Sequence, residues 1–176
     1  MIASETQIES ILLSGPLQNI RVFQVNDDGH QNQEVGYFLV DGGIELQFPG
    51  GVFSACWKGE EELFAIEDDH FEKVYGQTNF FELHNSNTAK LDAFKGLKVV
   101  SHKIQKEEFE FIADFTMNTE RAEKIVGVDL EFENERSLEL AFVDYHLDKN
   151  GVPGEFWHDL TMELLIAVDL KVEIRD

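Results

Sequence analysis

Residues 128–142, VDLEFENERSLELAF, alternate apolar and polar positions on both sides of a polar turn. Val128, Leu130, Phe132, Leu138, Leu140 and Phe142 share one parity, while Asp129, Glu131, Glu133 and Glu139 share the other. Successive side chains of a strand point to opposite faces, so this spacing predicts a hairpin with one buried face and one carboxylate face. Like charges on a common sheet face repel each other, and Arg136 at the turn is the nearest positive charge. Polarity alone would satisfy the open face; a single sign needs a further reason.

The same period-two pattern runs through most of the chain. GYFLVDGGIELQFPGGVFSACW (36–57) reads as a strand, a Gly-rich bend, a strand with Ile44, Leu46 and Phe48 on one face, a Pro-Gly-Gly turn and another strand. That is antiparallel hairpin chemistry. GLKVVSHKI (96–104), EEFEFIADFTM (107–117) and EKIVGVDLEFENERSLELAF (123–142) follow as strands, with turns expected at NTER (118–121) and ENER (133–136). NDDGHQNQ (26–33) reads as a loop and DKNGVPGE (148–155) as a turn. At the end Val168, Leu170, Val172 and Ile174 alternate with Asp169, Lys171, Glu173 and Arg175 as a closing strand, and the stretch before it stays open between strand and helix.

Two short helices interrupt this pattern. Ser4 with Gln7 three residues on forms a capping box, and Ile8, Ile11 and Leu12 fall on one face of a helix that stops at Gly15-Pro16. NSNTAKLDAFKG (85–96) reads as a second short helix or a turn, with Asn87 as cap and Gly96 as stop. Residues 58–76 fit both periods, since Phe64 and Ile66 alternate whereas Phe64, Phe71 and Tyr75 suit a helix. The expected class is α+β: mainly antiparallel β-sheet with a few short helices, in one domain spanning 1–176. LQNIRVFQV (17–25) echoes FKGLKVVSH (94–102), and Ile44, Leu46 and Phe48 fall on Val128, Leu130 and Phe132. Either 1–86 and 87–176 are related β-rich halves, or amphipathic hairpins simply resemble one another.

Composition narrows the function classes. With 43% hydrophobic residues and 15 Phe, the chain can bury a core despite a net charge of −21. Such a charge repels phosphate backbones and anionic lipid, and the scattered lysines make no basic patch, so neither nucleic acid nor membrane is an expected partner. Cys56 is the single cysteine, which excludes an intrachain disulfide and a cysteine zinc site and fits a reducing cytoplasm. MIASETQIESILLSG lacks the basic and apolar regions of a signal peptide, and the longest apolar run, LLIAV (164–168), has the length of a buried strand.

Motifs for chemistry are sparse. Cys56 sits in a strand pattern between Phe53 and Trp57 as an inert thiol, and the glycines of DGGIELQFPGG belong to turns without a phosphate-loop signature. Glu67, Asp68, Asp69 and His70 form one His/acid grouping, and Asp144, His146, His158 and Asp159 another, neither with diagnostic metal spacing. DKNGVPGE has oxygen groups at Asp148, Asn150 and Glu155 but is too short for a calcium loop. Glu107, Glu108 and Glu110 flank Phe109 and Phe111 as the solvent side of a strand. No catalytic residue, metal or cofactor is assigned.

A cysteine-poor, strongly acidic domain with hairpins such as GIELQF and VDLEFENERSLEL resembles the immunity proteins that bacteria keep against secreted or contact-delivered toxins. The resemblance implies a non-catalytic protein that occludes a basic toxin with an acidic surface. Asp129, Glu131, Glu133 and Glu139 are the expected partner-binding residues, joined by Glu45, Glu108 and Glu110 if their strands are neighbours. Two other readings stand beside this one: a structural β domain, dimeric through a strand edge, and a small enzyme or ligand binder using the His/Asp groups.

Overall fold

The computed structural model describes residues 4–25, 36–59, 61–112 and 119–175, with only the backbone described at 111, 112 and 120. It is an α+β arrangement in which two mainly antiparallel sheets carry three short helices. The first sheet has the order β5-β4-β3-β1-β6, from β1 (Asn19–Gln24), β3 (Gly43–Phe48), β4 (Gly51–Lys58), β5 (Leu63–Glu67) and β6 (Phe81–Glu82). The second has the path β12-β10-β9-β11-β2, from β2 (Tyr37–Val40), β9 (Ser137–Leu147), β10 (Pro153–His158), β11 (Glu163–Val168) and β12 (Ile174–Arg175). To β9 is added the long hairpin of β7 (Val99–Ile112) and β8 (Thr119–Phe132). Val143 pairs with both His158 and Glu163, and Ala141 with both Gly127 and Leu165. Strands β8 and β10 therefore share one edge of β9, end to end, and β11 takes the other.

The alternation read from the sequence decides what lies between the sheets. Ile20, Val22, Ile44, Leu46 and Phe53 of the first sheet pack against Val128, Leu130, Leu138, Leu140 and Phe142 of the second. Phe64 on β5 stacks on Phe142 with ring centroids 5.3 Å apart, fastening the two layers. Each such ring contributes about 2–3 kcal/mol when fully buried. Helix α1 (Glu5–Leu12) closes this core with Ile8, Ile11 and Leu12, and its capping box uses Ser4 and Gln7 as the sequence predicts.

Each sheet has its second face covered as well. Phe23 and Cys56 on the first sheet meet Phe71 and Tyr75 of α2 (Phe71–Tyr75). On the second, Leu39, Ala141, Val143, Phe156 and Leu165 form a small separate core under Val172 and Ile174. The sheet curls around it: Tyr37 on β2 and Phe156 on β10 have ring centroids 5.4 Å apart, and the Tyr37 hydroxyl donates to the Pro153 carbonyl at 2.6 Å.

Several expectations change. The ambiguous 58–76 stretch is both things in turn, β5 and then α2, divided at Asp68–His70. β2 and β3 do not form a hairpin; the Asp41-Gly42 bend carries the chain from one sheet to the other, and a Cβ at Gly42 would collide with the Phe23 carbonyl. Residues 99–112 are one strand rather than two, with an irregularity between Gln105 and Lys106 that absorbs the break in alternation. Thr119–Arg121 of the expected NTER turn already belong to β8, while the turn at 133–136 forms with Asn134 and Glu135 left-handed at φ 65° and 60°. Helix α3 (Ser86–Leu91) is capped by Asn85 rather than Asn87, because the Asn85 Oδ1 accepts the N–H groups of Asn87 and Thr88 at 3.0 Å each. The expected 26–33 loop lies outside the described residues.

The closing strand is the largest change. After β11, Asp169 takes φ 53° and accepts hydrogen bonds from Arg136 Nε and Ser137 N–H at 2.9 and 3.0 Å. This bend lifts the chain off its own strand, so residues 170–175 cross the outer face of the second sheet as a strap. They rejoin it as β12, two residues paired in parallel with β10. As for the sequence echo, β1-β3-β4 and β7-β8-β9 are both antiparallel meanders, each preceded by a short helix, and β2 departs by joining the other sheet.

Candidate functional site

The four carboxylates singled out in the sequence begin as neighbours. Asp129 on β8 pairs directly with Glu139 on β9, and Glu131 is the next outward residue along β8. Two side-by-side carboxylates repel, and the strap supplies the compensation. Lys171 Nζ lies 2.8 Å from Asp129 Oδ2, and the Val172 N–H donates to Glu139 Oε2 at 2.9 Å. Gln105 Nε2 donates to the other Asp129 oxygen at 2.8 Å. Glu139 is left only 5% exposed. Burial pushes its carboxyl above the usual range; the Val172 N–H opposes this and the Asp129 charge adds to it.

Glu131 and Glu133 lie beyond the strap and stay exposed, joined at the turn by exposed Glu135. They rim a hollow of about 640 Å³ that is also lined by Arg136 and by Val100, an apolar side chain 61% exposed. Arg136, the positive charge expected to relieve them, is engaged by other groups. Its Nε is 2.8 Å from Asp169 Oδ2 and its guanidinium lies 4.7 Å from the centre of the Phe94 ring. Among the described residues, none of Glu131, Glu133 and Glu135 forms an ion pair with Lys or Arg.

The remaining acids expected to join this face do not reach it. Glu45 belongs to the other sheet and is 2% exposed beneath α2. Glu108 and Glu110 bracket Arg121 at 3.8 Å each on the β7/β8 hairpin. The grouping at 67–70 also scatters: Glu67 pairs with buried Lys58 at 2.7 Å, Asp68 accepts from Gln7, and Asp69 pairs with Lys73. Of the later grouping, Asp144 accepts the Tyr145 N–H, His146 Nδ1 lies 3.7 Å from Glu155 Oε2, and Asp159 accepts from Thr161; in the DKNGVPGE turn, Asp148 Oδ1 accepts the N–H groups of Asn150 and Val152.

The sequence reading missed a second charged centre built around Glu45. Its Oε2 accepts the Phe71 N–H at 3.0 Å and lies 3.2 Å from His70 Nδ1. Arg21 on β1 reaches Glu45 at 3.6 Å, Glu72 at 2.8 Å and Glu82 at 3.0 Å, with its guanidinium 4.7 Å from the Phe23 ring centre. Glu45, His70 and Glu72 each place a ligand atom within 4.8 Å of the others, close enough to hold a metal ion. The guanidinium already stands among the carboxylates and meets their charge, so the arrangement is a salt-bridge network around the buried Glu45, its other members partly exposed, that pins α2 to the sheet. Alternation placed Glu45 on an outward face, correctly; nothing local in the sequence reveals that a helix covers that face.

Glu163 is a third unusual carboxyl. It lies on the outer face of β11 beside Tyr145, and its Oε2 is buried without a hydrogen-bond partner among the described residues. Burial, with the charges of Asp41 and Asp144, pushes it up to about 7 despite the hydrogen bond to Tyr145. No protein family, characterised protein or solved structure matches the chain.

Proposed function

We propose that the protein is a non-catalytic binding module that docks a basic protein on the acidic surface at the β8–β9 turn, as an immunity protein occludes a basic toxin. The observation that carries this reading is the commitment of Arg136 to Asp169, which leaves Glu131, Glu133 and Glu135 unneutralised around the exposed Val100. An apolar side chain set among three carboxylates, with the adjacent Arg136 guanidinium already held by Asp169, has the composition of a recognition patch. The net charge of −21 extends the field beyond the patch and accelerates encounter with a cation-rich partner. Asp129 and Glu139 contribute to that field through the strap rather than by direct contact.

The test is calorimetric titration with the basic product of an adjoining toxin-type gene, over a range of salt. Affinity is expected to fall steeply as salt rises, and Glu131→Lys/Glu133→Lys is expected to weaken binding at least tenfold and flatten that dependence. An unchanged affinity and salt slope in the double variant would refute the reading.

A further inference from the structure

The strap carries basic and apolar residues that meet complementary groups on the second sheet. Its sequence, Lys171-Val172-Glu173-Ile174-Arg175, alternates so that Val172 and Ile174 cover the small core of Leu39, Ala141, Val143, Phe156 and Leu165. Its cations meet acids: Lys171 lies on Asp129, and Arg175 Nη2 is 3.4 Å from Glu155 Oε1. Its backbone meets acceptors on the sheet, with Val172 N–H on Glu139 and Ile174 and Arg175 in parallel register with Phe156 and Trp157. The hold is nevertheless light. Only two residues enter the ladder, Lys171 remains 70% exposed, and the segment leaves β11 through Asp169 in a left-handed conformation that non-glycine residues adopt at a cost.

We infer that the seat of the strap is a strand-binding groove, and that an extended basic segment of the partner, patterned basic–apolar–x–apolar–basic, binds there by displacing residues 170–175. This rests on the acidic-surface reading and deepens it. It also gives Asp129 and Glu139 a direct role, since a segment carrying an extra cation in place of Glu173 would meet the same carboxylates with a stronger field. Addition of a strand to a sheet edge takes its affinity from main-chain hydrogen bonds and its selectivity from alternate side chains, and this groove offers both.

The experiment uses the full chain carrying Trp157→Cys and Arg175→Cys, which face each other in the β10–β12 register. Oxidation locks the strap down and reduction frees it, so one variant serves as its own folding control. The probe is a fluorescein-labelled, amidated peptide LKVKIR, followed by anisotropy at low salt. Binding by the reduced form, at least tenfold weaker when oxidised and also weakened by Asp129→Lys in the otherwise native chain, is the expected result. Equal binding in both states, lost instead in Glu131→Lys/Glu133→Lys, overturns displacement of the strap while leaving the acidic-surface reading intact. Absence of binding in both states overturns it too, and the salt titration described above then decides that reading separately.

Discussion

Glu163 is expected to cost the protein stability as pH rises from about 4.5 towards 7. An ordinary glutamate titrates near 4.5, whereas burial beside Tyr145, with Asp41 and Asp144 near, pushes Glu163 up to about 7. Between those values the native state holds a proton that the unfolded chain has released, so unfolding releases a proton and raising the pH favours it. The penalty is absent below about 4.5, grows across the window and levels off above about 7. At about 1.4 kcal/mol per pH unit the full difference is about 3 kcal/mol. Partial access of water to the carboxyl reduces this to about 1–2 kcal/mol. Glu163→Gln keeps a carbonyl for the Tyr145 hydroxyl and removes the charge. Urea unfolding of the native chain and the variant at pH 5, 6, 7 and 8 is therefore expected to show a stability difference that swings toward the variant by that amount. Other groups titrate in both proteins and cancel in the comparison. A difference that stays constant with pH would refute the buried-carboxyl argument.

Arg21→Met leaves the Glu45 carboxylate, 2% exposed, without its cation and frees Glu72 and Glu82. A loss of about 3 kcal/mol is expected in denaturant unfolding, and a loss below about 1 kcal/mol would show that the network does not hold α2. Cys56 is fully buried, with its thiol pushed well above the usual range by burial. Its modification by a disulfide reagent is expected to proceed only at the rate of unfolding, and rapid labelling of the native protein would contradict its place between sheet and helix.

What the sequence made legible is what period and capping encode. Val128, Leu130, Phe132, Leu138, Leu140 and Phe142 all face the inter-sheet core, and Ser4 with Gln7 starts α1 where the capping box places it. Those signals are local, carried by residues a few positions apart. The errors arise where the same local signal serves two tertiary outcomes. VDGGIEL has the chemistry of a hairpin turn, yet β2 is drawn into the second sheet because all four of its residues are buried and β11 offers it a partner. Val168, Leu170, Val172 and Ile174 alternate as a strand does, but the same pattern lets an extended segment cover an apolar face with little pairing, which is what residues 170–175 do, only Ile174 and Arg175 entering a ladder. Single-sign acids were legible as a list. Which of them face water depended on Glu45 meeting α2 and Glu139 meeting the strap, contacts between elements 26 to 33 residues apart.

The chain's few cations explain why the surface stays acidic after folding. It has 14 Lys and Arg against 35 Asp and Glu. Several of those cations are spent on acids that the fold itself buries or bends around. Arg21 serves Glu45, Lys58 serves Glu67, Lys171 serves Asp129 and Arg136 serves Asp169. Burying a carboxylate without such a partner costs several kcal/mol, so these pairings are set by folding and are not available to offset the surface. The surplus negative charge is thereby concentrated outside, and at the β8–β9 turn it lies around an apolar side chain that folding leaves uncovered. Arg136 lines the same hollow and is 30% exposed, yet its guanidinium is held by Asp169 and the Phe94 ring and so pairs with none of the three carboxylates. The engagement of that one side chain is what leaves the carboxylates of the turn without a cation among the described residues.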